Sequence, residues 1–398
     1  METGRFRPIG AGLSLLTLVG LTLPVQQAAA AACVSPKGVY ASTTPWAQQQ
    51  LDLAAVAPLS IGAGQRVAVI GTGIDPANAQ FSAGQVSAGQ DLLTSSVRDC
   101  DGRGTFAAGI IGAQPNSQTT IVGVAPGAQL VPIRYTQSDD GNTAGGDPAK
   151  LATALDDAVA DRVQIILVAV PATAGSPALQ AAVSRAQGAG ILVVSPAAAA
   201  KAGETTYPTS YSGVVAVAGV GPDGAPTTVE SGSYVALGAP GKGLAGLSAG
   251  AKGKLGHLWP SDDPTFAAAY VAGVLADVAS YRPRLSPQQV LQRVLATAGA
   301  SNGTRTDRLG WGLVDPVRAL TAELPADVSP SSMAGPAASP GRVRLGSPPV
   351  GSTPAGRHAG QLTFAGLVLA LVIGLGAVTI RRGQRRGWRP ERAQVQRS

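Results

Sequence analysis

Gln65-Arg66-Val67-Ala68-Val69-Ile70-Gly71-Thr72-Gly73 reads as one strand of a parallel sheet and the turn that ends it. Val67 to Ile70 is apolar and largely β-branched with no polar alternation, the pattern of a strand covered on both faces, and the glycines break it. Outward from this stretch the same unit recurs. An apolar run over 129–135 follows the turn Val124-Ala125-Pro126-Gly127-Ala128, residues 147–162 have helical spacing, and 164–170 is a strand. A helix over 176–187 and strands over 190–195 and 213–219 come next. Strands alternating with helices of roughly 10–15 residues predict a parallel sheet with helices on both faces, an α/β fold of three layers. Residues 264–280 form a long small-residue helix, and Ser286-Pro287 opens another, with serine as N-cap and proline at the first helical position. Ahead of the first strand, 36–60 is a proline-punctuated lead-in with a short helix over 47–57.

The 398 residues are 13% charged and 4% aromatic, with 52 Gly and 30 Pro, which suits close packing of small side chains and many turns. The net charge of +7 sits at the ends. Seven arginines against Glu391 occupy 381–398, and Arg5 and Arg7 against Glu2 occupy 1–32, which leaves 33–380 neutral. A nucleic-acid binder needs a basic folded face, so that class is excluded. Membrane topology explains the ends instead. Arg5 and Arg7 precede an apolar run over 9–25 and the alanine tract 28–32 with A-x-A cleavage options, which reads as a signal peptide; an uncleaved anchor is the alternative. Ala30 is too small for a lipobox, which argues against lipidation of Cys33. Residues 325–361 are rich in Pro, Gly and Ser without an apolar period and read as an extended linker. Residues 362–380 carry no charge and as a helix span roughly 28 Å, enough to cross a hydrocarbon core. The arginine-rich tail after them places the tail in the cytoplasm and the domain outside. The expected plan is therefore signal peptide 1–32, N-terminal extension 33–64, α/β domain 65–324, linker 325–361, transmembrane helix 362–380 and basic tail 381–398. Cys33 and Cys100 are the two cysteines; export makes a disulfide between them plausible, with two thiols as the alternative. No phosphate-loop, zinc or dinucleotide motif occurs, so neither metal nor cofactor is expected.

Five blocks carry a resemblance. Val67 to Ile74 is similar to V-A-V-I-D-T-G-V, Asp101-Gly102-Arg103-Gly104-Thr105 with its following Ala-Gly-Ile-Ile to D-G-H-G-T and its helix, and Val122 to Pro126 to G-V-A-P. Thr265-Phe266-Ala267-Ala268-Ala269-Tyr270-Val271-Ala272-Gly273 is similar to S-F-A-A-P-Y-V-A-G, and Gly310 to Pro316 to G-x-G-x-V-D/N. In this order they resemble the subtilisin-like serine proteases. The signal peptide, the lead-in cysteine, Asp99-Cys100-Asp101, the linker and the terminal membrane helix narrow the resemblance to the mycosins, membrane-anchored subtilases associated with type VII secretion. It implies the subtilisin-like three-layer fold.

The departures fall where the family does its chemistry. The resemblance puts Gly71 at the triad aspartate, Arg103 at the histidine and Thr265 at the serine, and only alanine, near Ala198 and Ala199, where an oxyanion asparagine belongs. Arginine cannot serve as a general base because its guanidinium stays protonated. Ala169-Val170-Pro171 aligns with the edge that pairs with substrate backbone, and Pro171 has no N–H to give. Arg103 is expected to pair with Asp99 or Asp101, with a positive cleft as the alternative, Asp262-Asp263 to lie in a solvated loop, Asp75 to be a turn residue, and His257 to be a surface-loop histidine. The expected function is a catalytically inactive pseudoprotease, a scaffold or peptide-binding component with the type VII secretion membrane complex and an extended peptide as partners. Two alternatives stay open: an endopeptidase using Thr265 with His257, and a cell-envelope binding module.

Overall fold

The computed structural model describes Met1, residues 33–41, 43–93, 97–137, 144–299 and 304–325, and Val328. The expected signal peptide, almost all of the linker, the membrane helix and the tail lie outside the described residues. Among the described residues no helix is long and apolar enough to cross a membrane.

The lead-in forms two short helices, α1 (Trp46–Gln50) and α2 (Leu53–Val56), where the sequence suggested one. The break is at Asp52, whose φ of 48° is left-handed, so one helix cannot run through it. Then come β1 (Arg66–Gly71), the two-residue β2 (Gln90–Asp91), α3 (Arg103–Gly112) and β3 (Gln129–Arg134). They are followed by α4 (Pro148–Ala160), β4 (Ile165–Val168), α5 (Pro177–Gly188), β5 (Leu192–Pro196) and β6 (Val215–Val220). The chain continues with β7 (Val235–Pro240), β8 (Leu244–Leu247), β9 (His257–Ser261), α6 (Pro264–Tyr281), α7 (Pro287–Thr297) and α8 (Pro316–Thr321). The helix starts follow their local chemistry. Asp147, Ser176, Ser286 and Asp315 each accept a main-chain N–H of the first turn, and each is followed by proline.

Seven strands form one sheet in the order β2-β3-β1-β4-β5-β6-β7, every pair parallel. Side chains alternate across it. Val67, Val69, Ile165, Leu167 and Val194 pack with α3 and α6, whereas Ala68, Ile70, Ile166, Val168 and Val193 pack with α4 and α5. The all-apolar wording of β1 follows, because both faces are dry. β8 and β9 form a separate antiparallel hairpin. The N-terminal extension runs along β9: Lys37 N–H donates to His257 O and His257 N–H to Gly38 O, both at 2.8 Å. A disulfide joins Cys33 to Cys100, Cα to Cα 4.6 Å, and Val34 N–H donates to Cys100 O at 2.9 Å.

From β1 the chain moves to β3 on one side and to β4 on the other. Open α/β sheets place their binding crevice at the carboxyl ends of strands where the order reverses in this way. Gly71 ends β1 there and Ala169 follows β4, with Ala169 N–H donating to Ile70 O at 2.8 Å.

Candidate functional site

The first wall of the crevice is the start of α3. Asp99 builds its turn: Oδ1 accepts from Gly102 N–H at 2.8 Å, and Oδ2 from Thr105 N–H at 2.8 Å and Thr105 Oγ1–H at 2.7 Å. Burial raises the Asp99 pKa to about 6 against these donors. Asp101 Oδ1 accepts the Arg103 main-chain N–H at 3.0 Å. The tip of β1 abuts α3 so closely that a Cβ on Gly104 would fall 1.9 Å from Gly73 O, and Gly104 N–H donates to Thr72 Oγ1 at 3.0 Å.

Arg103 is buried, and its ion pair corrects the expectation of Asp99 or Asp101. Its Nε lies 2.9 Å from Asp263 Oδ2, with the two side chains 7% and 8% exposed. Both Asp99 oxygens are turned into the α3 turn, where they accept three hydrogen bonds. Asp263 is therefore not the solvated-loop residue the sequence suggested. It is the N-cap of α6, where its Oδ1 accepts Thr265 N–H at 2.8 Å. Burial raises its pKa, while Arg103 and Thr265 oppose that shift. Asp-Pro ahead of an apolar helix is a cap signal that was present in the sequence; a partner 160 positions away was not. Its neighbour Asp262 is exposed and accepts Gly243 N–H at 2.6 Å. Phe106 and Phe266 stack with centroids 4.0 Å apart and, with Arg103 and Asp263, line a cleft of about 390 Å³.

Thr265 is fully buried, and its Oγ1–H donates to Ala169 O at 2.6 Å. Gly71 faces the same residue, and a Cβ built there would stand 3.0 Å from Ala169 Cβ. The structure thus brings Gly71, Arg103 and Thr265 together through two intermediaries, Ala169 and Asp263. Tyr135, which sequence reading missed, completes the floor: its hydroxyl donates to Val170 O, burial raises its pKa, and the Arg103 charge opposes that rise.

The edge Ala169-Val170-Pro171 is already hydrogen-bonded from within. Thr265 takes the first carbonyl and Tyr135 the second, while Gly145 and Gly146 N–H donate to Pro171 O at 2.9 and 3.3 Å. Ala172 exchanges both main-chain bonds with Tyr207, at 2.7 and 2.9 Å. Beyond β5, Ala198 and Ala199 are placed by a second missed residue. Buried Glu230 accepts from Ala199 N–H and Thr206 Oγ1–H on Oε2, each at 2.8 Å, and from Thr206 N–H at 3.0 Å and Tyr234 O–H at 2.9 Å on Oε1. Asp75 is a turn residue as expected, accepting Ala77 and Gly250 N–H at 3.2 and 2.7 Å.

His257 is not a surface-loop residue. It opens β9 and is 0% exposed. Nδ1 accepts Tyr40 N–H at 2.8 Å, and Nε2 lies 2.6 Å from Gln80 Oε1, so the neutral tautomer with the proton on Nε2 satisfies both. Burial lowers its pKa to about 4. Both ring nitrogens are committed to the extension and to Gln80, and neither is bonded to Thr265.

The crevice, its two helix starts and the ordered sequence blocks find their counterpart among known proteins. A profile of the subtilase family (peptidase S8) matches residues 62–312. The chain belongs to the subtilase family. Among its subtilase relatives, mycosin-1 of Mycolicibacterium smegmatis is 30% identical over 411 residues, covering 89% of this chain and 87% of that protein. A crystal structure of MycP1 with the N-terminal propeptide removed superposes with a TM-score of 0.64 at 28% identity, over 71% of this chain and 99% of that one. A chain in the structure of the periplasmic assembly from the ESX-5 inner membrane complex superposes with a TM-score of 0.62 at 25% identity, over 81% and 93% of the two chains. This subtilase is thus mycosin-like in sequence and in fold.

Proposed function

We propose that the protein is a mycosin-like pseudoprotease, a scaffold held on the outer side of the membrane and associated with the type VII secretion membrane complex. The observation that carries this reading is the buried Arg103–Asp263 pair at the head of α3 and α6. Triad chemistry needs a hydroxyl, a base to take its proton and an acceptor to orient that base. At the base position stands a permanent cation. At the orienting position, Gly71 has no side chain, and its approach to Ala169 leaves little room for one. The surviving hydroxyl, on Thr265, is turned onto the Ala169 carbonyl. Asp263 is the carboxylate beside it, but one oxygen caps α6 and the other holds Arg103. Ala198 and Ala199 bring no side-chain donor for an oxyanion, and the Ala199 N–H is given to the Glu230 carboxylate. Loss of nucleophile or base from such a unit costs on the order of a millionfold in turnover.

Scaffolding is favoured over capture of an extended peptide because the carbonyls of 169–171 already have donors. The sequence plan completes the reading: export through 1–32, the folded domain on 65–324, a linker, and an anchor at 362–380. Association with the secretion complex rests on the mycosin likeness and on the solved ESX-5 inner membrane assembly that contains a chain of this fold. The test is labelling of the purified full-length protein with a fluorophosphonate probe, alongside Thr265→Ala. No labelling above the variant is expected. Specific labelling that Thr265→Ala abolishes would overturn the assignment.

A further inference from the structure

Asp277 is the one acid in the apolar run Val274-Leu275-Ala276-Asp277-Val278 of α6. It is 0% exposed, and neither carboxyl oxygen has a hydrogen-bond partner. A buried ionised carboxylate without a partner is strongly disfavoured, so the closed structure calls for the neutral acid. What lies against it is the turn that joins the N-terminal extension to β1. Ser60 Oγ–H donates to the Asp277 main-chain carbonyl at 3.0 Å, and Gly62 N–H donates to that same Oγ at 3.2 Å. One turn further along α6, Ser280 Oγ–H donates to Ala63 O at 2.9 Å. The turn bends at Gly62 and Gly64, with φ of 68° and 80°, conformations open to glycine. The turn is seated on α6 by these polar contacts and on the loop before β3 by Gly127 N–H donating to Ile61 O at 2.6 Å, with the Asp277 carboxyl beneath it.

We propose that Asp277 is a proton-linked latch: protonated, it seats the turn Ser60–Gly62 and the extension before it on α6, and loss of that proton loosens them. Charged and titratable groups on the packed elements are engaged elsewhere or exposed, apart from Arg66, which is half-buried. Arg103 of α3 pairs with Asp263, Arg293 of α7 donates to Ala319 O and Arg282 to Leu320 O, while Arg318 of α8 and Tyr281 are exposed and Arg66 heads β1. None of them forms an ion pair with Asp277 among the described residues. Burial raises its pKa to about 7; the Ser60 hydroxyl and Gly62 N–H, close by but bonded to other atoms, oppose the rise. Opening the turn to water restores an ordinary carboxyl near pH 4. The sign follows: the closed form holds the proton more tightly, so opening becomes easier as pH rises from about 4 to about 7 and changes no further above that.

The inference is independent of whether the crevice is catalytic. Hydrogen exchange by mass spectrometry on the full-length protein in detergent, at pH 5, 6, 7 and 8, tests it. The open population of residues 59–63, corrected for intrinsic exchange, is expected to rise about tenfold per pH unit between pH 5 and 7 and to level off at pH 8. It is expected to stay flat in Asp277→Asn and in Asp277→Leu; the leucine variant suits an apolar core and carries the test if asparagine prevents folding. A flat profile in the native protein, or the same rise in the variants, would overturn the latch.

Discussion

At Arg103 a charge that cannot be neutralised is held at 7% exposure, and Asp263 is the carboxylate that makes this tolerable. Removing one member of a buried pair strands the other, which typically costs about 3–5 kcal/mol. Arg103→Met is therefore expected to destabilise the fold by about 3 kcal/mol, toward the low end because Asp263 has a raised pKa and can take up a proton. Adding Asp263→Asn keeps a competent N-cap for α6 and removes the stranded charge, so the double variant should recover more than half of that loss. Thermal unfolding of the four proteins of this cycle is the measurement. A double variant as unstable as the two single losses added together would show that the pair is not coupled. The same geometry explains why restoring histidine at 103 alone is a poor route to activity: it would break the Asp263 contact while Gly71 still offers nothing to orient an imidazole.

Among the elements, the N-terminal extension shows most clearly what holds a peripheral segment in place. It lies along β9 through the Gly38–His257 bonds, Tyr40 meets Trp259 edge-on with centroids 5.6 Å apart, and the disulfide closes a sequence separation of 67. For a loop of that length the chain-entropy model gives about 4 kcal/mol. Cys33→Ser/Cys100→Ser should lose roughly that much in unfolding free energy and gain exchange at residues 34–40; an unchanged unfolding midpoint would mean that the strand contacts alone retain the segment. The five central parallel strands, β1 and β3 to β6, and their helices were legible because each is written locally, in apolar runs such as Val67–Ile70 and in caps such as Ser286-Pro287; the edge strands β2 and β7 were not read. β9 was not: Pro260 breaks the strand pattern, its partner β8 lies beyond a glycine- and lysine-rich connection, and its other neighbour is more than 200 residues earlier. At the crevice, residue types at Gly71, Arg103 and Thr265 were readable, but the partners were not. Asp263, Tyr135 and Glu230 act on groups that the fold, not the local sequence, brings to them.

Across the whole molecule, buried titratable groups set opposing slopes of stability against pH. Asp99 and Asp277 have pKa values raised to about 6 and about 7, and Asp263 is raised as well. Each holds its proton more tightly folded than unfolded, so its stabilising share is present near pH 4 and is lost as pH climbs to the folded value. His257 works the other way. Its pKa is lowered to about 4 from 6.5, so the unfolded chain binds the proton more readily between those values and stability rises with pH across that window. The raised acids outnumber the histidine, and Asp277 continues to act up to pH 7. The net expectation is a stability that falls by roughly 3 kcal/mol from pH 4 to pH 7, or roughly 6–9 °C in Tm. Intrinsic fluorescence during thermal scans of the full chain reads this directly. Asp277→Leu should flatten the fall, and His257→Gln should steepen it by removing the opposing slope. A Tm that rises over the same range in the native protein would mean that these acids reach water or a partner when folded, and that the buried carboxyls around α6 and the α3 turn are ionised at neutral pH.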